Sequence, residues 1–405
     1  MSKWLKSLKE HIALHICLAV TFITTGIIVD IIQALLTVLV KPWRADWFRR
    51  INYYVTYCLN SQMVFIVEWW SGSRAIMFSD PAHVKKYFGK EPAMLLLNHT
   101  YEIDWLIGWV VCDRCQILGN AKVFVKKILQ YAPVLGWSWK MQEIVFLERN
   151  WEKDKVSLGG QLAKLAAYPN PYWVVLFPEG TRYTKDKHKI SMEVARSKGL
   201  PELKHHLLPR TRGFVASIPH LRKTMPAVYD VTVAFNPMIG NEPTVFNMLN
   251  GRPVTGTLLL RRIPMSEIPE DETKAAEWLH ELYRHKDKCL ENFFRTGEFN
   301  PPDNRLPEYE KFEYIELPRR YYSLINMTFW FLIICGPLVY YITGMFLSGD
   351  WTLITVAFLL VILAYVGMDR LINLTKISKG SNYGENANGK MNSIGNGDTN
   401  SKKLH

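Results

Sequence analysis

The segment Leu95-Leu96-Leu97-Asn98-His99-Thr100-Tyr101-Glu102-Ile103-Asp104 sets an imidazole five positions before a carboxylate, directly after an apolar run. A carboxylate on one ring nitrogen of a histidine fixes the tautomer and leaves the other nitrogen to take a proton. Such a base can act on the hydroxyl of a bound acceptor as that hydroxyl attacks a thioester, with no serine nucleophile from the protein. The spacing sets a condition on the backbone. On one continuous helix the two side chains would lie about 140° apart, so the chain must turn between them, as where a strand ends and a helix begins. Asp104 is placed to start such a helix over residues 105–111.

A histidine near an aspartate is more often a structural pair than a base. A second segment changes the balance: Phe177-Pro178-Glu179-Gly180-Thr181-Arg182 again follows an apolar run and joins a flexible glycine, a hydroxyl and a guanidinium. The planar fork of arginine donates two hydrogen bonds to a phosphate. Both segments follow runs that read as buried strands, and in parallel sheets ligands collect beyond the carboxyl ends of strands.

The elements that must hold these residues lie between residues 74 and 288. Apolar runs at 93–97, 144–147, 173–177 and 227–235 read as strands, and 153–167, 191–198 and 270–294 have helical composition. Alternation of this kind predicts an α/β domain with parallel strands and crossover helices.

The flanks are of another character. Residues 12–40 are almost wholly apolar, broken by Asp30 and Gln33, and exceed the ~20 residues a spanning helix needs. The run is too long for a cleaved signal peptide and no small-residue site closes it. Basic residues flank it on both sides (Lys3, Lys6, Lys9; Lys41, Arg44, Arg49, Arg50), so it does not set its own orientation. Residues 52–70 suit either an amphipathic helix at the bilayer surface or a buried helix of the domain. Two further apolar runs, 324–347 and 351–368, flank the turn Ser348-Gly349-Asp350 and read as a membrane hairpin. The chain therefore divides into a membrane-associated region 1–70, a catalytic domain 71–300, a hairpin 320–370 and a polar tail 379–405 expected to be disordered. The tail ends Lys402-Lys403-Leu404-His405.

Of the 405 residues 48% are hydrophobic, and 49 Lys and Arg against 37 Asp and Glu give a formal charge of +12. That excess calls for an acidic partner, and the apolar spans make it lipid headgroups and phosphates, with no nucleic acid. The six cysteines show no disulfide framework. Cys112 and Cys115 form a lone C-x-x-C pair, too few ligands for zinc, so no metal is expected. No G-x-S-x-G or H-E-x-x-H segment points to a serine or zinc hydrolase.

Taken together, the N-H-x4-D and F-P-E-G-T-R segments, about eighty residues apart and in this order, resemble the signatures of the glycerolipid acyltransferase family. Val145-Phe146-Leu147-Glu148-Arg149 is similar to that family's second block and Met225-Pro226-Ala227-Val228 to its fourth. Phe124-Val125-Lys126-Lys127 and Pro133-Val134-Leu135-Gly136-Trp137 also look familial, and the chain is most similar to the 1-acylglycerol-3-phosphate acyltransferases of the gamma and delta type. The resemblance implies acyl transfer from acyl-CoA, as co-substrate without a cofactor, to the free hydroxyl of lysophosphatidic acid. It implies His99 as base, Asp104 as its orienting carboxylate, and Glu179, Gly180, Thr181 and Arg182 as the phosphate-holding loop. Arg149 and Lys126 would add charge there, and Pro226 would shape the acyl-CoA side. The final lysines resemble the dilysine retrieval signal of endoplasmic reticulum membrane proteins, which implies a multi-pass protein with tail and catalytic domain in the cytosol. Another lysophospholipid acceptor and a non-catalytic lipid-binding scaffold remain open. Trp105, Trp109, Trp137 and Trp139 could line an acyl groove or simply pack.

Overall fold

The computed structural model describes residues 7–236 and 240–375. The expected polar tail with its two lysines lies outside the described residues, as do Lys3 and Lys6 of the N-terminal flank. The strands are β1 Arg74–Ser79, β2 Ala93–Leu97, β3 Ala121–Lys126, β4 Val145–Leu147, β5 Trp173–Leu176, β6 Ala227–Phe235, β7 Thr255–Pro264 and β8 Glu313–Ile315. The principal helices are α1 Ile12–Leu39, α2 Ala45–Phe65, α3 Pro81–Tyr87, α4 Asp104–Arg114, α5 Leu135–Met141, α6 Trp151–Ala166, α7 Lys185–Ser197, α8 Thr211–Leu221, α9 Val245–Leu249, α10 Glu272–Thr296, α11 Tyr322–Ser348 and α12 Trp351–Thr375.

The strands form one sheet in the order β4-β3-β5-β2-β6-β7-β1-β8. The five strands from β4 to β6 run parallel; β7 turns against β6, and β8 against β1. This is the expected α/β class with a mostly parallel sheet. β2 and β6 are buried at every position, which is why both read as unbroken apolar runs: a sheet covered on both faces has no polar side. The expected domain boundary at residue 300 excludes β8, which pairs with β1 through Met77 and Ile315. The sheet therefore draws on the chain as far as residue 315.

Helices α1 and α11 are long and apolar enough to cross a membrane. α1 is unbroken at Gly26 and is built inside out. Its buried stripe holds Thr21, Thr25, Asp30 and Gln33, while Ile23, Ile27, Ile31, Leu35 and Val38 face outward. The stripe meets α2, of which Arg49, Asn52, Thr56, Asn60, Ser61 and Gln62 are buried. The Gln33 amide donates to Asn52 (2.8 Å) and Thr56 (3.1 Å) and accepts from Ser138 of α5 (2.8 Å). Residues 52–70 pack against α1 and the domain through both kinds of contact, these polar side chains and the buried Leu59, Val64, Ile66 and Val67. Ion pairs fasten this layer to the domain, Arg49 and Lys41 on Glu143 (2.9 and 2.8 Å) and Arg114 on Glu68. Between α11 and α12 the chain reverses at Gly349, whose φ of +69° a residue with a Cβ adopts only under strain.

Candidate active site

β2 ends at Leu97, and Asn98 continues its ladder with a side chain. The Asn98 amide accepts the Val233 N–H (2.7 Å) and donates to the Val233 carbonyl (2.9 Å). The backbone is thereby released from the sheet, and it turns over residues 99–103 into α4. Asp104 is the first residue of that helix, with Ile103 in the cap position. Its carboxylate does not cap its own helix as the sequence suggested. It reaches back across the turn, and one oxygen accepts from the Thr100 N–H (2.7 Å), the Tyr101 N–H (2.9 Å) and His99 Nδ1 (3.0 Å). Three donors on one buried oxygen fix the turn and the imidazole together. With Nδ1–H donated to Asp104, Nε2 is left as an acceptor, and it has no hydrogen-bond partner among the described residues. The ring lies against Phe177, centroid to centroid 4.4 Å.

The second segment begins where β5 ends, one strand away. Gly180 (φ +70°) makes the turn, and the loop closes on the histidine's main chain from both sides. The His99 N–H donates to Glu179 (3.0 Å), and the His99 carbonyl accepts the Tyr183 N–H (2.8 Å). Glu179 is buried, and its other oxygen accepts the Leu207 N–H (3.2 Å). Burial pushes its carboxyl up to about 8, against the pull of the two backbone donors and Lys286.

Arg182 approaches Glu102 at 3.9 Å, and Arg149, itself at φ +61°, donates to the Gly180 carbonyl (3.1 Å). Lys126 closes β3 on the same side of the sheet. Two further cations, absent from the sequence-based expectation, complete the group. Lys187 donates to Thr181 Oγ1 (2.9 Å) and the Arg182 carbonyl (3.3 Å). Arg210 lies over Gly180 so closely that a Cβ there would sit 3.2 Å from its Cδ. Burial lowers the affinity of Lys126, Lys187 and Arg149 for their protons; Arg149 and Arg182 add to the effect at Lys126, and Arg210 at Arg149. Five cations crowded at the ends of parallel strands give a strongly positive surface of the kind that attracts a multiply charged anion. Nothing in the sequence distinguishes Lys187, in the run Lys185-Asp186-Lys187-His188-Lys189, from a solvated lysine, and Arg210 sits in a stretch without periodicity.

Pro226 is not brought to this site. It precedes β6, and the pairing of Ala93 with Ala227 puts it at the amino end of the sheet. His99 follows the carboxyl end, more than about 13 Å away at 3.3 Å per residue. The Pro226 carbonyl is used by the Met265 N–H (2.8 Å). Trp105 and Trp109 meet edge to face and pack on the core, and Trp137 is exposed.

Behind the site, α10 supports the clamp. Asp287 accepts the N–H groups of Lys204 (2.7 Å) and His205 (2.8 Å) and the Nδ1 of His206 (2.9 Å), fixing the loop that presents Leu207 to Glu179. Its neighbour Lys286, fully buried, pairs with Asp230 (2.5 Å) and donates to the Leu96 carbonyl (3.0 Å), three residues before His99.

A family model described as Acyltransferase matches residues 76–236, and one described as Acyltransferase C-terminus matches residues 247–330. The 1-acyl-sn-glycerol-3-phosphate acyltransferases delta and gamma of Homo sapiens are each 42% identical over 378 residues, covering 93% of this chain and 96% of theirs. Among solved structures, the 1-acyl-sn-glycerophosphate acyltransferase of Thermotoga maritima aligns with 69% of this chain and 96% of its own, at 15% identity and a TM-score of 0.40.

Proposed function

The chain belongs to the acyltransferase family that includes the gamma and delta 1-acyl-sn-glycerol-3-phosphate acyltransferases, and on that premise we propose that it acylates the free sn-2 hydroxyl of a lysophosphatidic acid with acyl-CoA as donor. His99 Nε2 takes the proton of that hydroxyl as its oxygen attacks the thioester carbonyl. Asp104 holds the Nδ1–H, so the ring is oriented before the acceptor arrives and the imidazolium is stabilised once formed. Collapse of the tetrahedral intermediate breaks the C–S bond, and the departing CoA thiolate recovers the proton from His99. The products are phosphatidic acid and CoA. Arg182, Arg149 and Lys126, joined by Lys187 and Arg210, hold the acceptor's phosphate. Thr181 and Gly180 shape the loop, and Glu179 positions the histidine. We place the enzyme in the endoplasmic reticulum membrane with the catalytic domain in the cytosol.

The observation that carries this reading is one loop, residues 177–183, that binds the main chain of His99 and also contacts the cations. Replacing His99 by alanine is expected to abolish acyl transfer while the protein remains folded and membrane-bound. Turnover by that variant would remove His99 as the base, and a parent without turnover would favour a lipid-binding scaffold. The same cations suit the phosphate of any lysophospholipid, so the acceptor is tested with a panel at one acyl-CoA. Preference for lysocardiolipin or lysophosphatidylinositol over lysophosphatidic acid would overturn the assignment of the acceptor.

A further inference from the structure

Immediately after Lys126, residues Lys127–Tyr131 form a short 3-10 segment with its apolar side chains turned outward: Ile128 is 67% exposed, Leu129 38% and Tyr131 68%. Single exposed apolar residues are ordinary. Three within four residues, beside a cationic site, form a patch that asks for a partner.

The segment is also held rigidly to α1. A Cβ on Gly136 would lie 2.0 Å from the Leu129 carbonyl oxygen, so α5 sits directly under the segment. Val134, a β-branched residue at φ +67°, packs so tightly on Gly26 of α1 that a Cβ there would be 2.2 Å from its Cγ1. A strained residue of this kind persists only where its surroundings fix it. One turn on, Ser138 bonds Gln33 of α1. On the other side, Lys127 pairs with Glu148 (2.6 Å), next to Arg149.

The link from the segment to α1 runs through α5, which also walls a cavity on the α1 side. A cavity of about 570 Å³ opens between Val38 of α1 and Trp137 of α5, with Lys140 and Lys164 at its edge. Those two lysines have no carboxylate partner among the described residues. Aliphatic and aromatic side chains rimmed by lysine match the two layers of an anionic leaflet, acyl chains below and headgroups above.

We propose that Lys127–Tyr131 is a lipid-contacting loop, packed through α5 against α1, that seats the mouth of the cationic site on an anionic bilayer surface. Ile128 and Leu129 enter the acyl boundary and Tyr131 and Trp137 lie at headgroup level. The cations that follow the loop then meet the phosphate of a lipid still in its leaflet. The kinetic part of the test rests on the proposed acyl transfer; the spectroscopic part does not.

The test uses the full chain in vesicles of phosphatidylcholine and phosphatidylserine. In the Ile128→Asp/Leu129→Asp variant, the KM for a long-chain lysophosphatidic acid in the bilayer is expected to rise at least about tenfold, with kcat unchanged. The KM for a short-chain, monomeric acceptor should stay as in the parent. An unchanged bilayer KM, or an equal rise for both acceptors, would overturn the proposal. Independently, a nitroxide on Ile128→Cys, read against the identically treated parent, should relax with oxygen more than with a water-soluble nickel complex. The reverse order places the loop in water and overturns the proposal, whatever reaction the enzyme performs. A parent without turnover on lysophosphatidic acid overturns the assigned reaction and leaves the nitroxide reading to decide the loop.

Discussion

Replacing Glu179 by glutamine separates the positioning of the proposed base from the proposed binding of the phosphate. In the native site one carboxylate oxygen accepts the His99 N–H and the other the Leu207 N–H, both away from water. A carboxyl group, charged or neutral, has an acceptor lone pair on each oxygen, whereas an amide nitrogen has none. Whichever way the glutamine turns, one backbone donor faces another donor, and an unsatisfied buried donor costs about 1–3 kcal/mol. That cost is met partly by loss of stability and partly by movement of the His99 backbone, and a shift of about 1 Å at a catalytic group can cost ~100-fold. We expect kcat to fall about 10- to 100-fold with the acceptor KM within about threefold, because every cation of the floor remains. Stability carries a second signature. Burial raises the Glu179 carboxyl from 4.5 to about 8, so between those values the folded state binds a proton that the unfolded chain releases. The contribution of this group to stability is therefore greatest at low pH and declines as pH rises through about 8, by up to ~1.4 kcal/mol per pH unit. Thermal unfolding of parent and variant at pH 6 and pH 8 reads the difference, since glutamine has no such slope. Native kcat with a raised acceptor KM would refute the clamp and make Glu179 part of the phosphate site.

Two other substitutions probe the floor and the far end of the sheet. Lys187→Ala and Arg210→Ala should each raise the acceptor KM about 10- to 100-fold, the range of one charge-assisted hydrogen bond, with little effect on kcat; an unchanged KM would confine either residue to packing. Pro226→Ala should leave the KM of both substrates within about twofold, since the carbonyl used by Met265 is retained; a selective rise for acyl-CoA would extend the donor site to the amino end of the sheet.

The turn carrying His99 and Asp104 was legible because two constraints coincide there, an unbroken apolar run and a spacing that no single helix satisfies. β1, β3, β7 and β8 were not read as strands. β3 carries Lys122 at a buried position, where its ammonium donates to the Gln142 carbonyl (2.7 Å) and faces the Tyr168 ring, and β7 carries Arg261 and Arg262, paired with Asp230 and Glu91. Polar residues satisfied by distant partners break the periodicity on which strand assignment rests. α2 misleads for the same reason, since Asn52, Thr56 and Gln62 mark its buried face. Pro226 is a different case: a block that begins a central strand does not reveal which end of the sheet it occupies, and Pro226 stands at the end away from His99.

The two motifs occur together because one holds the other. Within residues 177–183, Arg182 and Thr181 belong with the cations, whereas Glu179 and the Tyr183 N–H grip the main chain of His99. A carboxyl as deeply buried as Glu179 would be costly if left without partners. Here it lies among two backbone donors, with Lys286 near enough to draw its proton affinity down. Lys286 in turn bonds the carbonyl of Leu96 at the end of β2, and its neighbour Asp287 fixes the loop bearing Leu207. The proposed base is therefore restrained at its ring by Asp104, at its main chain by Glu179, and along its strand by Lys286. Restraint from three directions keeps the imidazole beside the strongly charged floor in one orientation, as the proposed acyl transfer requires.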